Sequence, residues 1–503
     1  MSQILFGQSY YLRFDPKLWD AMQPYPPLGT LYAASYLREH GYDVALFDAM
    51  LAESENEWAE ALDKERPTFA ILYEDNFNYL SKMCLMRMRQ AAFTMIEMAK
   101  ARGCTVILCG ADATDHTESY LNRGADFVLL GEGEETLVEL LEQLSGQKDA
   151  KFDSVLGLAY KYQDGIHRNA RRPDLSDLDQ LPFPAWDLVS VEKYRSIWME
   201  RHGYFSMNMV TTRGCPFHCN WCAKPIWGQR YHSRSPENVA AEMKWLKEKY
   251  HPDHIWFADD ILGLKPGWLP RFAEAVSSQN AGIPFKALSR ADLLTREGEV
   301  ESLRAAGAQN IWMGAESGSQ KILDAMDKGT HIDQIHEAAQ RLKTAGIQVG
   351  FFLQFGYPGE TREDIEKTIQ LVRDCDPDDI GISVSYAMPG TKFYEAVREQ
   401  LGEKQNWQDS DDLAMLYHGT FSTAFYRKLH RVVHKEFRAR KAWKKLKSAP
   451  NFQTAARLGY NLFTLPLARE QLNILGRQSR QALSELPHMP HEAAATPSPQ
   501  DPR

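Results

Sequence analysis

Short apolar runs alternate with helical stretches along most of this chain, and that alternation limits its fold more than any other feature. Ile4–Gly7, Asp43–Asp48, Thr68–Tyr73, Thr105–Cys109 and Phe127–Leu130 are apolar with little inside–outside alternation, as expected of parallel strands buried on both faces. Helical periodicity lies between them. Leu137, Leu140, Leu141 and Leu144 form one stripe, and Leu31, Ala34 and Leu37 belong to another helix that stops at Gly41. The pattern predicts an α/β protein whose residues 1–150 form a Rossmann-like, doubly wound domain. Six more strand–helix repeats follow between 205 and 400. Their strands are Met207–Thr212, His254–Asp259, Phe285–Ser289, Asn310–Ala315, Val349–Phe355 and Gly381–Ala387. Ser235 and Pro236 supply a cap and first turn for a helix with Val239, Met243, Leu246 and Tyr250 on one face. Six such units predict a partial (β/α)6 barrel with its chemistry at the carboxyl ends of the strands.

The remaining segments lack that alternation. Residues 151–204 carry Pro173, Pro182, Pro184 and many Asp, and read as a linker with room for one hairpin. Residues 401–484 read as a helical C-terminal region, and 485–503, rich in Pro, His and Ala, as a disordered tail. Ten Lys and Arg lie between 427 and 447, among Leu429, Val432, Val433, Phe437 and Trp443. That stretch suits either an amphipathic helix with a solvated basic face or peripheral contact with anionic lipid heads.

Net charge narrows the partners. At −9 and pI 6.0 the chain gives no global argument for nucleic-acid binding. No apolar run reaches the ~18 residues of a membrane span. Met1–Tyr10 reads as a strand, with no basic stretch of the kind that opens a signal peptide. Of 7 Cys, four are scattered (Cys84, Cys104, Cys109 and Cys375) and three fall within eight residues. This is no disulfide scaffold, and a reducing cytoplasm is expected. There the scattered thiols serve as small buried groups.

The clustered thiols are Cys215, Cys219 and Cys222, in Thr212-Arg213-Gly214-Cys215-Pro216-Phe217-His218-Cys219-Asn220-Trp221-Cys222. Three thiolates in one loop can hold three irons of a 4Fe–4S cube and leave the fourth open to another ligand. A structural zinc site wants four ligands, and His218 would be an unusually spaced fourth. A ferredoxin-like carrier wants a fourth nearby Cys, and none follows before Cys375.

C-x3-C-x2-C with Trp221 before the last Cys, in the first strand–loop of a partial barrel, resembles the radical S-adenosylmethionine superfamily. The resemblance implies that S-adenosylmethionine chelates the open iron and is split by one electron to methionine and a 5′-deoxyadenosyl radical. Further strand ends match in order. Asp259 and Asp260 end the second strand, where groups meeting the methionine amine are implied. Ser289 and Arg290 end the third, implied to hold ribose and the methionine carboxylate. Glu316, in Gly314-Ala315-Glu316-Ser317-Gly318-Ser319, ends the fourth near the same cofactor. Phe355 to Thr361 and Met388 to Thr391 end the last two.

Pro26-Pro27-Leu28-Gly29-Thr30-Leu31 and Gly131-Glu132-Gly133-Glu134-Glu135-Thr136-Leu137 resemble the opening and closing motifs of cobalamin-binding domains fused to such barrels. Gly131, Glu132 and Gly133 are thereby implied cofactor-binding residues. Asp-x-His-x-x-Gly, whose His ligates cobalt in many such domains, does not occur, and the loop Glu74-Asp75-Asn76-Phe77-Asn78 supplies no His. The branch implied includes cobalamin-dependent methylases and the anaerobic magnesium-protoporphyrin IX monomethyl ester cyclase. Methylation of an unactivated carbon in a small or lipid-like molecule is expected, with oxidative cyclisation as the alternative. An electron donor such as flavodoxin or ferredoxin is expected as partner. A non-catalytic cobalamin or redox sensor would not need the S-adenosylmethionine contacts.

Overall fold

A computed structural model describes residues 3–82, 85–146, 151–163, 165–222, 226–227 and 229–484. Cys84 and the tail 485–503 therefore lie outside the described residues. The chain forms two compact units. One runs to His418 except for Pro358–Thr361; that short segment and the residues from Gly419 form the other.

The first sheet has five parallel strands: β1 (Ile4–Gly7), β2 (Val44–Leu46), β3 (Phe69–Tyr73), β4 (Thr105–Cys109) and β5 (Phe127–Leu129). Their order is β2-β1-β3-β4-β5, so the winding reverses between β1 and β3. The uniform apolarity of these strands has a direct cause. Leu5, Leu72, Val106 and Val128 pack into a core on one face, while Phe6, Ile71, Ile107 and Leu129 pack into another. Two helices flank the site: α1 (Leu28–Glu39) and α2 (Glu134–Gly146).

The hairpin expected in the linker belongs to this sheet. β6 (Leu158–Tyr162) pairs antiparallel with β5, and β7 (Gly165–Arg168) pairs with β6. Leu158, Ala159 and Tyr160 are buried there, so the segment completes a core and does not merely connect two. Residues 191–202 form a helix that ties the halves of the unit together. Its Tyr194 hydroxyl donates to Asp48 (2.7 Å) and its Trp198 indole to the Pro24 carbonyl (2.7 Å).

The second sheet begins at β8 (Ser206–Met209). A short ribbon, β9 (Thr212–Arg213) with β10 (His232–Ser233), brackets the cysteine loop. Helix α3 (Pro236–Tyr250) follows, and Ser235 caps it by accepting from the Asn238 N–H at 3.1 Å. Then come β11 (His254–Phe257), β12 (Phe285–Ser289), β13 (Ala308–Glu316), β14 (Gln348–Phe355) and β15 (Asp379–Val384). All six barrel strands are parallel, in the order β15-β14-β13-β12-β11-β8, an open half-barrel.

The C-terminal region is helical only from residue 423. Before that, residues up to 418 run as an irregular strap on the first unit: Ser410 Oγ donates to Asp15 (2.6 Å) and the Met86 N–H donates to the Trp407 carbonyl (2.9 Å). The second unit is a pair of helices, α4 (Thr423–Ser448) and α5 (Phe452–Ser484), packed along each other. Among the described residues no helix is long and apolar enough to cross a membrane.

Candidate active site

The cysteine loop leaves β9 through Gly214, whose φ is +79°. A Cβ there would lie 2.1 Å from the Arg230 carbonyl oxygen, so only glycine lets the loop turn under the chain at this point. Cys215 is buried with Phe217, Ile261 and Leu293, while Cys219 and Cys222 are partly open. Asn220 tethers the far end of the loop. Its N–H donates to the Met326 carbonyl (3.0 Å), its amide to Ala325 (2.7 Å), and it accepts from the Tyr357 hydroxyl (2.9 Å). Trp221 packs against the cluster of Ile322, Met326, Tyr357 and Phe393.

Cationic groups converge on this loop. Arg290 places its guanidinium 3.6 Å from the Phe217 ring centre and one nitrogen 4.0 Å from Cys219 Sγ. Its other donors bind Asp292 (2.9 Å), the Lys328 carbonyl (2.9 Å) and Thr330 (3.1 Å). Lys328 donates to Glu316 at 2.8 Å, and both are buried. Burial pulls the Lys328 ammonium down, but the carboxylate of Glu316 and then the thiol of Cys219 outweigh it, so its pKa stands above the ordinary value. Glu316 itself has φ +56°, next to a register shift between β13 and β14. A bulky residue held there is strained, and such strain concentrates where a side chain must be aimed.

The other expected residues are placed differently. Asp259 has both oxygens occupied: it accepts from the Thr211 and Thr212 N–H groups (2.8 and 2.7 Å) and from both hydroxyls. It holds the strand that delivers the cysteine loop and faces no open space. Asp260 is exposed. Ser289 shares a face of β12 with Phe285 and Ala287, opposite to Lys286 and Leu288. Gly131 makes a left-handed turn (φ +86°). A Cβ on Gly133 would lie 2.6 Å from Cys109 Sγ and 2.8 Å from the Tyr73 ring, so its role is close packing.

Glu132 is not free for a ligand. It and Glu134 clamp Arg213, at 3.0 and 2.6 Å, and Glu132 also accepts from the Leu175 N–H (2.5 Å). All three side chains are buried. Burial would lower the Arg213 pKa, but Glu134 and then Glu132 outweigh it and raise it. The closing motif of the first sheet thus grips the residue two before Cys215. Arg213, Asn220 and Lys328 were missed in the sequence. Arg213 stands inside the quoted motif, and a lone cation before a Gly-Cys pair was its signal; Lys328, in an ordinary turn, gave none.

The interior between the first sheet and the half-barrel carries aromatic and basic groups. Tyr79, which opens the short helix Tyr79–Lys82 after β3, is 51% exposed. Phe352, on β14, is 39% exposed, and its ring centre lies 4.8 Å from that of Trp312. Lys286 lies over Trp256 (5.0 Å) and Tyr25 (5.6 Å), its pKa lowered by burial to about 8.

The donor sets fit the expected groups. Among the described residues no three His, Cys, Asp or Glu side chains stand close enough to hold a single metal ion. A 4Fe–4S cube holds its thiolates farther apart than one ion does, and three thiols on one loop beside cations match that demand. Doubly wound sheets bind ligands where the winding reverses, a point that falls here at the carboxyl ends of β1 and β3. The loop after β3 carries buried Asn76 Oδ1 and Ser81 Oγ without a partner among the described residues. Unpaired buried polar atoms call for a ligand. No histidine stands there; His116 lies beside Asp112 in a different loop.

Residues 209–372 match the Radical SAM superfamily and residues 20–141 match the B12 binding domain. The chain is a radical S-adenosylmethionine enzyme. Within that class it belongs to the branch in which a B12-binding domain precedes the barrel, and its cofactors are a 4Fe–4S cluster, S-adenosylmethionine and cobalamin. It is 28% identical over 398 residues to an uncharacterized methyltransferase of Pyrococcus horikoshii, covering 76% of this chain and 81% of that one. It is 27% identical over 389 residues to the anaerobic magnesium-protoporphyrin IX monomethyl ester cyclase of Rubrivivax gelatinosus, covering 76% and 67%. Two solved folds are similar. One is the radical S-adenosylmethionine methyltransferase TsrM from Kitasatospora setae, with cobalamin and a [4Fe-4S] cluster bound (TM-score 0.65, 18% identity, covering 80% of this chain and 78% of that one). The other is the cobalamin-dependent radical enzyme OxsB with aqua-cobalamin bound (TM-score 0.71, 17% identity, covering 96% and 75%).

Proposed function

We propose that this enzyme methylates an unactivated carbon of a small or lipid-like molecule, and that Cys215, Cys219 and Cys222 hold its cluster. One observation carries the reading. Arg213, two residues before Cys215, is buried between Glu132 and Glu134 of the B12-binding domain, so the two cofactor sites are braced against each other. When bound, the cluster supplies an electron to S-adenosylmethionine and cobalamin supplies a methyl group. The protein's own residues do the rest. Arg290 and the Glu316–Lys328 pair fix the charged parts of S-adenosylmethionine at the cysteine loop, through charge-assisted hydrogen bonds. Asp259 and Asn220 keep that loop in register. Asn76 and Ser81 offer hydrogen bonds to the corrinoid periphery. Tyr79, Phe352 and Trp312 give the substrate apolar walls. A reductant such as flavodoxin or ferredoxin delivers electrons in the cell.

Oxidative cyclisation is the second reading, favoured by the similarity to the magnesium-protoporphyrin cyclase at nearly the same identity and coverage. Anaerobically reconstituted protein, given S-adenosylmethionine with a deuterated methyl group and an extract of small molecules, decides between them. Methylation predicts a product carrying the deuterated methyl. A product that has lost hydrogen and carries no label supports cyclisation instead.

A further inference from the structure

The second unit exposes apolar side chains that its fold does not need. Of the twelve large hydrophobic residues exposed among the described residues, seven lie in α4 and α5. On α5, Phe452 is 86% exposed, Tyr460 64%, Phe463 87% and Leu467 65%. At 100° per residue these four fall within one quarter of the helix surface, with Ile474 on the same line. The buried face of α5 is the opposite one: Leu458, Asn461, Ala468 and Leu472. The helix is thus apolar on both sides, one packed on α4 and one in water. From Phe452 to Leu467 it carries a single charge, Arg457.

The partner helix supplies the charge. Between Arg427 and Lys447 it holds ten Lys and Arg against one acid, Glu436. Arg427, Arg431, Arg438 and Lys445 are exposed and share one face. Contacts across the seam fix how the two stripes adjoin. Lys428 Nζ donates to Gln471, and Lys435 Nζ donates to Thr464 (2.5 Å) while lying 4.8 Å over the Tyr460 ring. On that flank Lys428 and Lys435 of α4 border the aromatic row of α5.

We infer that the helical pair 423–484 is a monotopic anchor for a bilayer containing anionic phospholipid. A surface helix sinks its apolar face to the headgroup–acyl boundary, and neighbouring Lys and Arg reach the phosphates. A charge-complementary partner explains the cations, and an acyl layer explains Phe463 and Leu467. The exposed stripe is about 33 Å long from 452 to 474 at 1.5 Å per residue, so it lies flat. Neither helix has the composition to span.

Sedimentation of the full-length holoenzyme with vesicles tests this. Vesicles of phosphatidylcholine with phosphatidylglycerol should pellet the wild type; phosphatidylcholine alone should pellet it at least ~10-fold less, and added salt should release it. Phe463→Asp with Leu467→Asp should abolish pelleting. Arg431→Glu with Arg438→Glu should reduce it on the order of 10-fold or more. All four positions lie outside the barrel and the B12-binding domain, so S-adenosylmethionine cleavage should stay at the wild-type level. That activity also reports that each variant has folded. Equal pelleting with both vesicle types, or none with either, overturns the inference. So does a wild-type dimer in sedimentation velocity that Phe463→Asp splits, which would make the stripe an interface between two copies.

Discussion

The rim of the half-barrel and the crevice of the B12-binding domain handle buried polar groups in opposite ways. At the rim, charges are paired: Arg213 with Glu132 and Glu134, Lys328 with Glu316, Arg290 with Asp292. In the crevice, Asn76 Oδ1 and Ser81 Oγ lack partners among the described residues, and burial raises the carboxyl of Glu74 to about 7. The rim is therefore assembled by the protein itself. The crevice is tuned toward neutral and unsaturated groups, which suits a large polar ligand that brings its own hydrogen bonds. Cofactor loss should consequently disturb the crevice more than the rim.

The largest effect is expected where rim pairing is broken. Arg213→Met leaves two buried carboxylates facing each other and should cost about 3–5 kcal/mol of unfolding free energy. Glu134→Gln added to that variant should restore part of the loss. Denaturant unfolding of the three proteins measures it, and additive effects of the two changes would refute the clamp.

Next comes S-adenosylmethionine binding. Arg290→Ala and Glu316→Ala should each weaken it by about 2–5 kcal/mol. The readout is the concentration dependence of reductive cleavage without substrate, with iron content unchanged. Normal dependence with lower product yield would move both residues to the substrate site.

The crevice gives the third prediction. Cobalamin at 100 times its Kd should stabilise the protein by about 2.7 kcal/mol. Paramagnetic resonance of the cob(II)alamin form should show no nitrogen coupling from the protein, since no histidine lies in the loop after β3. A protein nitrogen signal would show that another element reaches cobalt.

The smallest effect concerns Glu74, which accepts from the Ser9 N–H at 3.0 and 3.2 Å. Its folded pKa, about 7, lies above the ordinary 4.5 because burial outweighs those hydrogen bonds. Its contribution to stability is present below about pH 4.5 and is lost as pH rises toward 7. Glu74→Gln should therefore gain progressively on wild type as pH rises over that interval. A difference independent of pH would contradict the shift.

Much of this was legible in the residues. Parallel strands betray themselves by apolarity on both faces, and every parallel strand begins and ends within three residues of its expected place. The cysteine loop announced itself by spacing. What escaped was side-chain direction. Asp259 and Glu132 carry the right chemistry for a cofactor, but Asp259 is consumed by Thr211 and Thr212, and Glu132 by Arg213 and Leu175. Sequence position shows that a carboxylate ends a strand; it does not show which neighbours fold back onto it. The hairpin 158–168 was expected, but its place in the first sheet was not, because its pairing with β5 depends on a strand almost thirty residues earlier. The apolar stripe of α5 was hidden because its buried and exposed faces are both apolar, which erases the periodicity that reveals a helix face.

The most direct measurement is 5′-deoxyadenosine released from S-adenosylmethionine by anaerobically reconstituted protein, comparing wild type with Cys219→Ala. Wild type should bind about four irons per chain and release the nucleoside on reduction. Cys219→Ala should lose the cluster and the release, while still binding cobalamin in the separate crevice. Equal iron content and equal release in the variant would contradict the assignment of Cys215, Cys219 and Cys222 to the cluster, and with it the account of this site.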